Sequence, residues 1–319
     1  MRVIAHGGAG SKPARRQTEC DGSAGSLSEE PRDRQQALDA AAAAGTDASS
    51  PTEAVCATVR ALEADLRFNA GVGGARQSDG YVRTDAGLMT DDREAGGACG
   101  MPGVEHAVDV ARAVKEATPH VLVAGVHAVD LAEAVGVETG VDLLTERTRE
   151  RWTDLEDRPD GDQLAHARWV GERYGSDPDA GVDRGASDSG PPDRDHDTVG
   201  AVATDGDRVA AATSTGGRWL ATAGRVGDVP QVGSGFYCTP AGGVSATGAG
   251  EDIARVTLAR RAVDRLEDGQ AAQAAAEAAI EEFGDLVEGS AGLIALTPDG
   301  DVGEAFNSDA MQTAVAGEL

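Results

Sequence analysis

A chain of 319 residues with 40% hydrophobic content has room for two average domains or one large layered unit, and enough apolar side chains for a substantial core. Its net charge of -27 and isoelectric point near 4.4 exclude nucleic acid as a partner, since a phosphate backbone would be repelled. Lysine occurs only at Lys12 and Lys115, and the acidic excess is spread over the chain, which suits a halophilic, salt-rich cytoplasm where screening removes the self-repulsion.

The first element is a short buried strand over Arg2-Val3-Ile4-Ala5-His6, ending in Gly7-Gly8-Ala9-Gly10. That glycine run has neither the Walker lysine nor the Rossmann spacing, so it reads as close backbone packing rather than a phosphate loop. Residues 11–32 are polar and turn-rich, and helical periodicity begins near 34–44. A second helix starts at Ser50-Pro51-Thr52-Glu53, with serine as cap, proline in the first turn and glutamate to satisfy exposed amides. The apolar spacing of Val55, Val59, Leu62 and Leu66 carries it onward.

Three hairpin signatures follow, at Ser78-Asp79-Gly80, Asp205-Gly206-Asp207 and Pro298-Asp299-Gly300-Asp301. Helical patterns lie at 104–117, 125–136, 161–173, 251–267 and 270–286. Hairpins flanked by helices predict stacked layers. Cys20, Cys56, Cys99 and Cys238 form no CxxC pair, the six histidines have no metal spacing, and no apolar run reaches the ~20 residues that span a bilayer. Reduced thiols and the lack of a secretory pattern point to the cytoplasm, with no membrane association.

Residues 175–195 are almost devoid of apolar side chains and read as a mobile linker. The linker runs through Asp197 into Thr198, where a strand-like Thr198-Val199-Gly200-Ala201-Val202-Ala203-Thr204 begins. A threonine at such a junction reads as a nucleophile waiting to become an N-terminus, because an N-terminal threonine uses its own α-amine as base. Attack of its hydroxyl on the Asp197 carbonyl would give an ester whose hydrolysis yields chains of 197 and 122 residues, the latter being 319 less 197. After Asp205-Gly206 the chain returns antiparallel. Turn lengths of two, three or four residues would set Thr213, Ser214 or Thr215 opposite Thr198, and spacing leaves all three open.

Six blocks in order now carry a resemblance: His6-Gly7-Gly8-Ala9-Gly10, Leu62-Glu63 through Phe68-Asn69-Ala70-Gly71, Asp197-Thr198-Val199-Gly200, Thr213-Ser214-Thr215-Gly216-Gly217, Gly224-Arg225-Val226-Gly227-Asp228 and Thr247-Gly248. Over nearly its whole length the chain resembles the plant-type asparaginase and isoaspartyl peptidase family of N-terminal nucleophile hydrolases. The resemblance implies one α/β layered (α+β) domain over 1–319, a four-layer αββα sandwich of two mainly antiparallel sheets flanked by helices, cleaved into 1–197 and 198–319. It implies Thr198 as autocleavage residue and hydrolytic nucleophile, with Thr215 as its hydroxyl partner. Arg225 would bind the substrate α-carboxylate and Asp228 the α-ammonium. Thr247 and the Gly248 amide would form the oxyanion hole, with Gly217 and Gly250 lining the pocket.

The loop 62–72 resembles the family's sodium-binding loop, with the carbonyls of Leu62, Glu63, Asp65, Phe68, Ala70 and Val72 around a structural ion and Asn69 orienting the Thr198 region. The resemblance implies no catalytic cofactor, L-asparagine and β-aspartyl dipeptides as substrates releasing L-aspartate, and a homodimer of cleaved protomers. The chain departs from the family pattern at Trp219-Leu220-Ala221-Thr222-Ala223 and at Val229-Pro230, which leaves the leaving group open. His196-Asp197-Thr198 also resembles glycosylasparaginases, and an uncleaved amino-acid-binding relative is the reading outside enzymology.

Overall fold

A computed structural model describes residues 1–10, 30–174 and 198–319. The linker expected at 175–195 and Asp197 lie outside the described residues, as do Cys20 and residues 11–29 of the polar N-terminal stretch. Among the described residues, eleven strands are distributed over two sheets. The larger joins β1 (Arg2–Gly10), β2 (Arg83–Thr90), β3 (Ala95–Pro102), β4 (Leu122–Ala124), β5 (Val199–Thr204), β6 (Val209–Thr215) and β11 (Ala310–Ala316) in the order β11-β1-β5-β6-β2-β3-β4. Only β3 and β4 pair in parallel. The smaller is antiparallel, β10-β9-β8-β7, from β7 (Phe236–Thr239), β8 (Gly242–Gly248), β9 (Ala291–Leu296) and β10 (Val302–Phe306).

The sheets stack face to face, β8 over β5 and β6 and β9 over β1. Helices α1 (Glu30–Gly45), α2 (Pro51–Glu63) and α3 (Ala107–Ala117) cover the outside of the larger sheet, while α8 (Leu258–Glu267) and α9 (Ala272–Leu286) cover the smaller. This is the four-layer α/β arrangement anticipated above.

Strand alternation places the chemistry. On β5, Val199, Ala201 and Ala203 join the helix-side core with Leu38, Val55 and Val59, whereas Val202 turns to the second sheet with Val209, Ala211, Val244 and Leu293. Thr198 has the parity of Val202, and Thr213 and Thr215 that of Ala211, so all three fall between the sheets. On β8, Ser245 reaches across to β1 and β6, and Thr247 shares its parity. The interior is too narrow for side chains everywhere: a Cβ on Gly200 would run into Ser245 Oγ and His6 Nε2.

Several predicted elements change at their ends. Helix α2 is capped as expected, Ser50 accepting from Glu53 N, but it stops at Glu63 and leaves Leu66 66% exposed in the following turn. The 251–267 helix divides into α7 (Gly250–Val256) and α8, because Thr257 takes a left-handed conformation at φ 54. Ser78-Asp79-Gly80 closes only an isolated bridge, Arg76 to Val82, instead of a hairpin of two strands. The remaining predicted helices appear as α3, α4 (Val126–Ala134), α6 (Gln163–Tyr174) and α9. Helix α5 (Glu146–Thr153) was not anticipated; it is highly charged apart from the Thr148–Trp152 face, and owes its start to a Thr145–Thr148 capping box.

Candidate active site

The β5–β6 turn spans four residues, with Thr204 opposite Val209 and Val199 opposite Ser214. That register puts Thr215, not Thr213 or Ser214, across from Thr198. Thr215 in turn pairs with Asp85 on β2, so Thr198, Thr215 and Asp85 form a row across one end of the sheet. Thr247 closes the row from the smaller sheet. Its Oγ1 accepts from the Thr198 N–H at 3.4 Å and from Ala9 N–H at 3.3 Å. All three threonines are buried, Thr198 being 6% exposed. Gly248 ends β8 at φ 133, and a Cβ there would run into Ser290 O, a conformation and a space that only glycine satisfies.

Beneath this row lies a buried polar relay. His6 Nε2 is 2.8 Å from Ser245 Oγ, Ser245 Oγ is 2.7 Å from Thr213 Oγ1, and Thr213 donates to Gly235 O at 2.9 Å. Burial holds His6 far below its usual range, at about 3, so it stays neutral, with the nearby Thr198 backbone pulling the other way. Asn69 ties the turn after Thr215: its Nδ2 donates to Gly217 O at 2.7 Å and its carbonyl accepts from Gly216 N at 2.9 Å. Gly217 N reaches back to Thr215 Oγ1 at 3.2 Å.

The charged half sits on the long 216–235 loop. Gln77 holds that loop, accepting from Gly224 N at 2.9 Å and donating to Arg225 O at 3.3 Å. His166 donates to Leu220 O at 3.2 Å. Trp219 and Leu220, where the chain departs from the family pattern, pack in a small apolar cluster with Ala75, Trp152, Leu155 and Trp169. The Arg225 guanidinium lies over Gly227 and donates side-on to Glu251, Nε to Oε1 at 2.8 Å and Nη2 to Oε2 at 2.9 Å. Glu251 is held down at about 2 by that arginine, against the burial that opposes its charge.

Asp228 is 4% exposed and its Oδ2 has no partner, while a Cβ on Gly250 would lie 2.6 Å from Asp228 Oδ1 and 2.8 Å from Arg225 Nη2. Gly250 thus leaves the room in which the two charged groups converge. Burial pushes Asp228 up to about 6 and Asp85 up to about 7, with the Arg225 charge pulling both back. Asp85 is fixed by Gly100 N at 2.7 Å. Pattern alone singled out neither Asp85, Gln77, Ser245 nor Glu251. Only Glu251 carried a signal, as the acid directly after Gly250.

In the 62–72 loop, the carbonyls of Leu62, Asp65 and Ala70 accept turn amides from Asp65, Phe68 and Gly73. The carbonyls of Glu63 and Phe68 press on Gly71 and Gly73, where no side chain fits. These are backbone oxygens, the ligand type a hard monovalent cation takes, although Leu62 O already accepts from both Ala64 and Asp65.

The asparaginase family model matches residues 1–318. Plant-type L-asparaginase from Pyrococcus abyssi is 38% identical over 270 residues, 83% of each chain. Isoaspartyl peptidase/L-asparaginase from Homo sapiens is 33% identical over 305 residues, covering 92% of this chain and 91% of that one. A probable isoaspartyl peptidase/L-asparaginase from Drosophila melanogaster is 37% identical over 276 residues, covering 84% and 79%.

Proposed function

The chain belongs to the asparaginase family, and from that premise we propose a threonine amidohydrolase that releases L-aspartate from L-asparagine and from isoaspartyl dipeptides. The observation that carries this reading is the convergence of Thr198, Thr215 and Thr247 from three strands at one end of the sandwich. In the first step Thr198 Oγ attacks the Asp197 carbonyl and the peptide C–N bond breaks, giving an ester and freeing the Thr198 α-amine; water then hydrolyses the ester, releasing the Asp197 carboxylate and the Thr198 hydroxyl. That amine then serves as base: it takes the hydroxyl proton as Oγ attacks the substrate amide carbon. Thr247 Oγ1 and the Gly248 N–H stabilise the oxyanion, a contribution of roughly 100- to 1000-fold per donor. The proton passes to the departing ammonia or amine, leaving a β-aspartyl ester on Thr198, and water releases aspartate.

Arg225 reads the α-carboxylate, and the orphaned Asp228 Oδ2 takes the α-ammonium, an ion that supplies the hydrogen bonds this buried oxygen lacks. Gly217 and Gly250 keep the pocket open. The carbonyls of Leu62, Glu63, Asp65, Phe68, Ala70 and Val72 would hold a sodium ion that stiffens the loop bearing Asn69 and contributes no chemical step. The working form is a homodimer of cleaved protomers.

A denaturing gel combined with an ammonia assay on L-asparagine tests the mechanism. Two chains of the expected lengths, both lost in Thr198→Ala, support it, whereas an intact chain that turns over asparagine would sink it. Rates on β-aspartyl-leucine and aspartyl-N-acetylglucosamine separate the dipeptidase from a glycosylasparaginase.

A further inference from the structure

Arginine can offer a carboxylate two different faces. The side face pairs Nε with one Nη, and the end face pairs Nη1 with Nη2. In this site the side face of Arg225 is taken: Nε and Nη2 go to the two oxygens of Glu251 at 2.8 and 2.9 Å. The Arg225 side chain is only 16% exposed, and Gly227 lies flat beneath its guanidinium, with a notional Cβ there 2.8 Å from Nη1 and 2.9 Å from Cζ. Glu251 is itself braced by Arg218 Nη1, 3.6 Å from Oε2. Gly250, the residue before Glu251, is the one whose missing side chain lets Arg225 Nη2 and Asp228 Oδ1 approach each other.

We infer that Glu251 is the positioning residue for substrate recognition: by occupying the side face of Arg225 it fixes the guanidinium in its plane and presents the end face, Nη1 with Nη2, to the α-carboxylate. The inference rests on the reading of Arg225 given above. A flexible arginine would lose part of its binding energy in being ordered by each substrate; one already locked by a two-point ion pair does not. Glu251 touches neither the scissile amide nor Thr198 in this scheme, so its effect belongs in binding.

An alternative geometry makes the opposite prediction. If the substrate needs the side face, Glu251 is an internal competitor that must be displaced, and removing its charge would tighten binding.

Steady-state kinetics of Glu251→Gln and Glu251→Ala on L-asparagine decide between them. The positioning role predicts KM raised about tenfold with kcat within about twofold, and the same loss of affinity for the product L-aspartate as an inhibitor. A lower KM identifies a competitor and overturns the proposal; so does an unchanged KM, or a loss of kcat alone. Thermal melting of both variants within a few degrees of the parent separates a recognition effect from a damaged fold, and Glu251→Asp, which keeps the charge with shorter reach, should restore part of the affinity. Arg225→Met tests the underlying reading by itself. Unaltered KM in that variant refutes Arg225 as the carboxylate reader, whatever Glu251 does.

Discussion

Thr198, Thr215 and Thr247 stand at strand ends, where β register and parity fix their places, while Arg225 and Asp228 stand on a long loop that has no register at all. The two halves are held by different means. Backbone ladders between β5, β6 and β2 align the hydroxyls, and the neutral His6–Ser245–Thr213 relay props them from below. The charged half depends on side chains gripping loop backbone: Gln77 on Gly224 and Arg225, Asn69 on Gly217, His166 on Leu220. On the proposed reading the nucleophile is set by the fold and recognition of the amino-acid head group by a few replaceable tethers, so recognition can change without disturbing the nucleophile.

Damage to the strand half should be close to total. Thr198→Ala is expected to lower turnover at least about 1000-fold and to leave a single chain on a denaturing gel, since no other group supplies the attacking oxygen. Gly200→Ala should show how little slack that half has. Its methyl meets Ser245 Oγ, His6 Nε2 and the Ala212 carbonyl, and a loss of about 3 kcal/mol in urea unfolding is expected.

The loop half should fail by degrees. Arg225→Met is expected to lower kcat/KM about 100-fold, mostly through KM, because a two-point charged contact is lost while the oxyanion donors stay in place. Asp228 must be ionised to hold an ammonium, and burial has raised it to about 6. A carboxyl raised in this way is progressively neutralised as pH falls through that value, so KM for asparagine should rise about tenfold between about pH 7 and 5, while kcat falls separately as the Thr198 α-amine base is protonated. Gln77→Ala, which frees one tether, should raise KM only about fivefold and leave self-cleavage intact. If it instead blocks cleavage, the two halves are more tightly coupled than their architecture suggests.

Much of this was legible in the residues themselves. Alternation and turn chemistry located β5, β6, β9 and β10, and the Ser50-Pro51-Glu53 cap located the start of α2. What stayed hidden has a common cause: strands built of glycine and alanine, such as β3 and β8, have no period-2 contrast to read, because a narrow space between sheets rather than polarity dictates their residues. The helix break at Thr257 was equally invisible, since nothing in Arg255-Val256-Thr257-Leu258 signals a left-handed residue. In the site, Thr198 announced itself by its place at a junction, but spacing left Thr213, Ser214 and Thr215 open; the resemblance implied Thr215, and the register sets it opposite. Asp85 and Ser245 looked like ordinary strand residues. Their roles come from what stands across from them, and that is a property of the folded chain.

The place of β1 has a consequence for the protein after processing. It lies in the middle of a sheet, hydrogen-bonded on one edge to β5 and on the other to β11, both downstream of Thr198. A cut before Thr198 would therefore yield two chains that are woven together, with no seam along which they part. Such a pair can exchange partners only by unfolding, and because unfolding separates two chains its melting temperature should rise with protein concentration. Once separated by denaturant, the two pieces would have to find each other before either could complete its sheet.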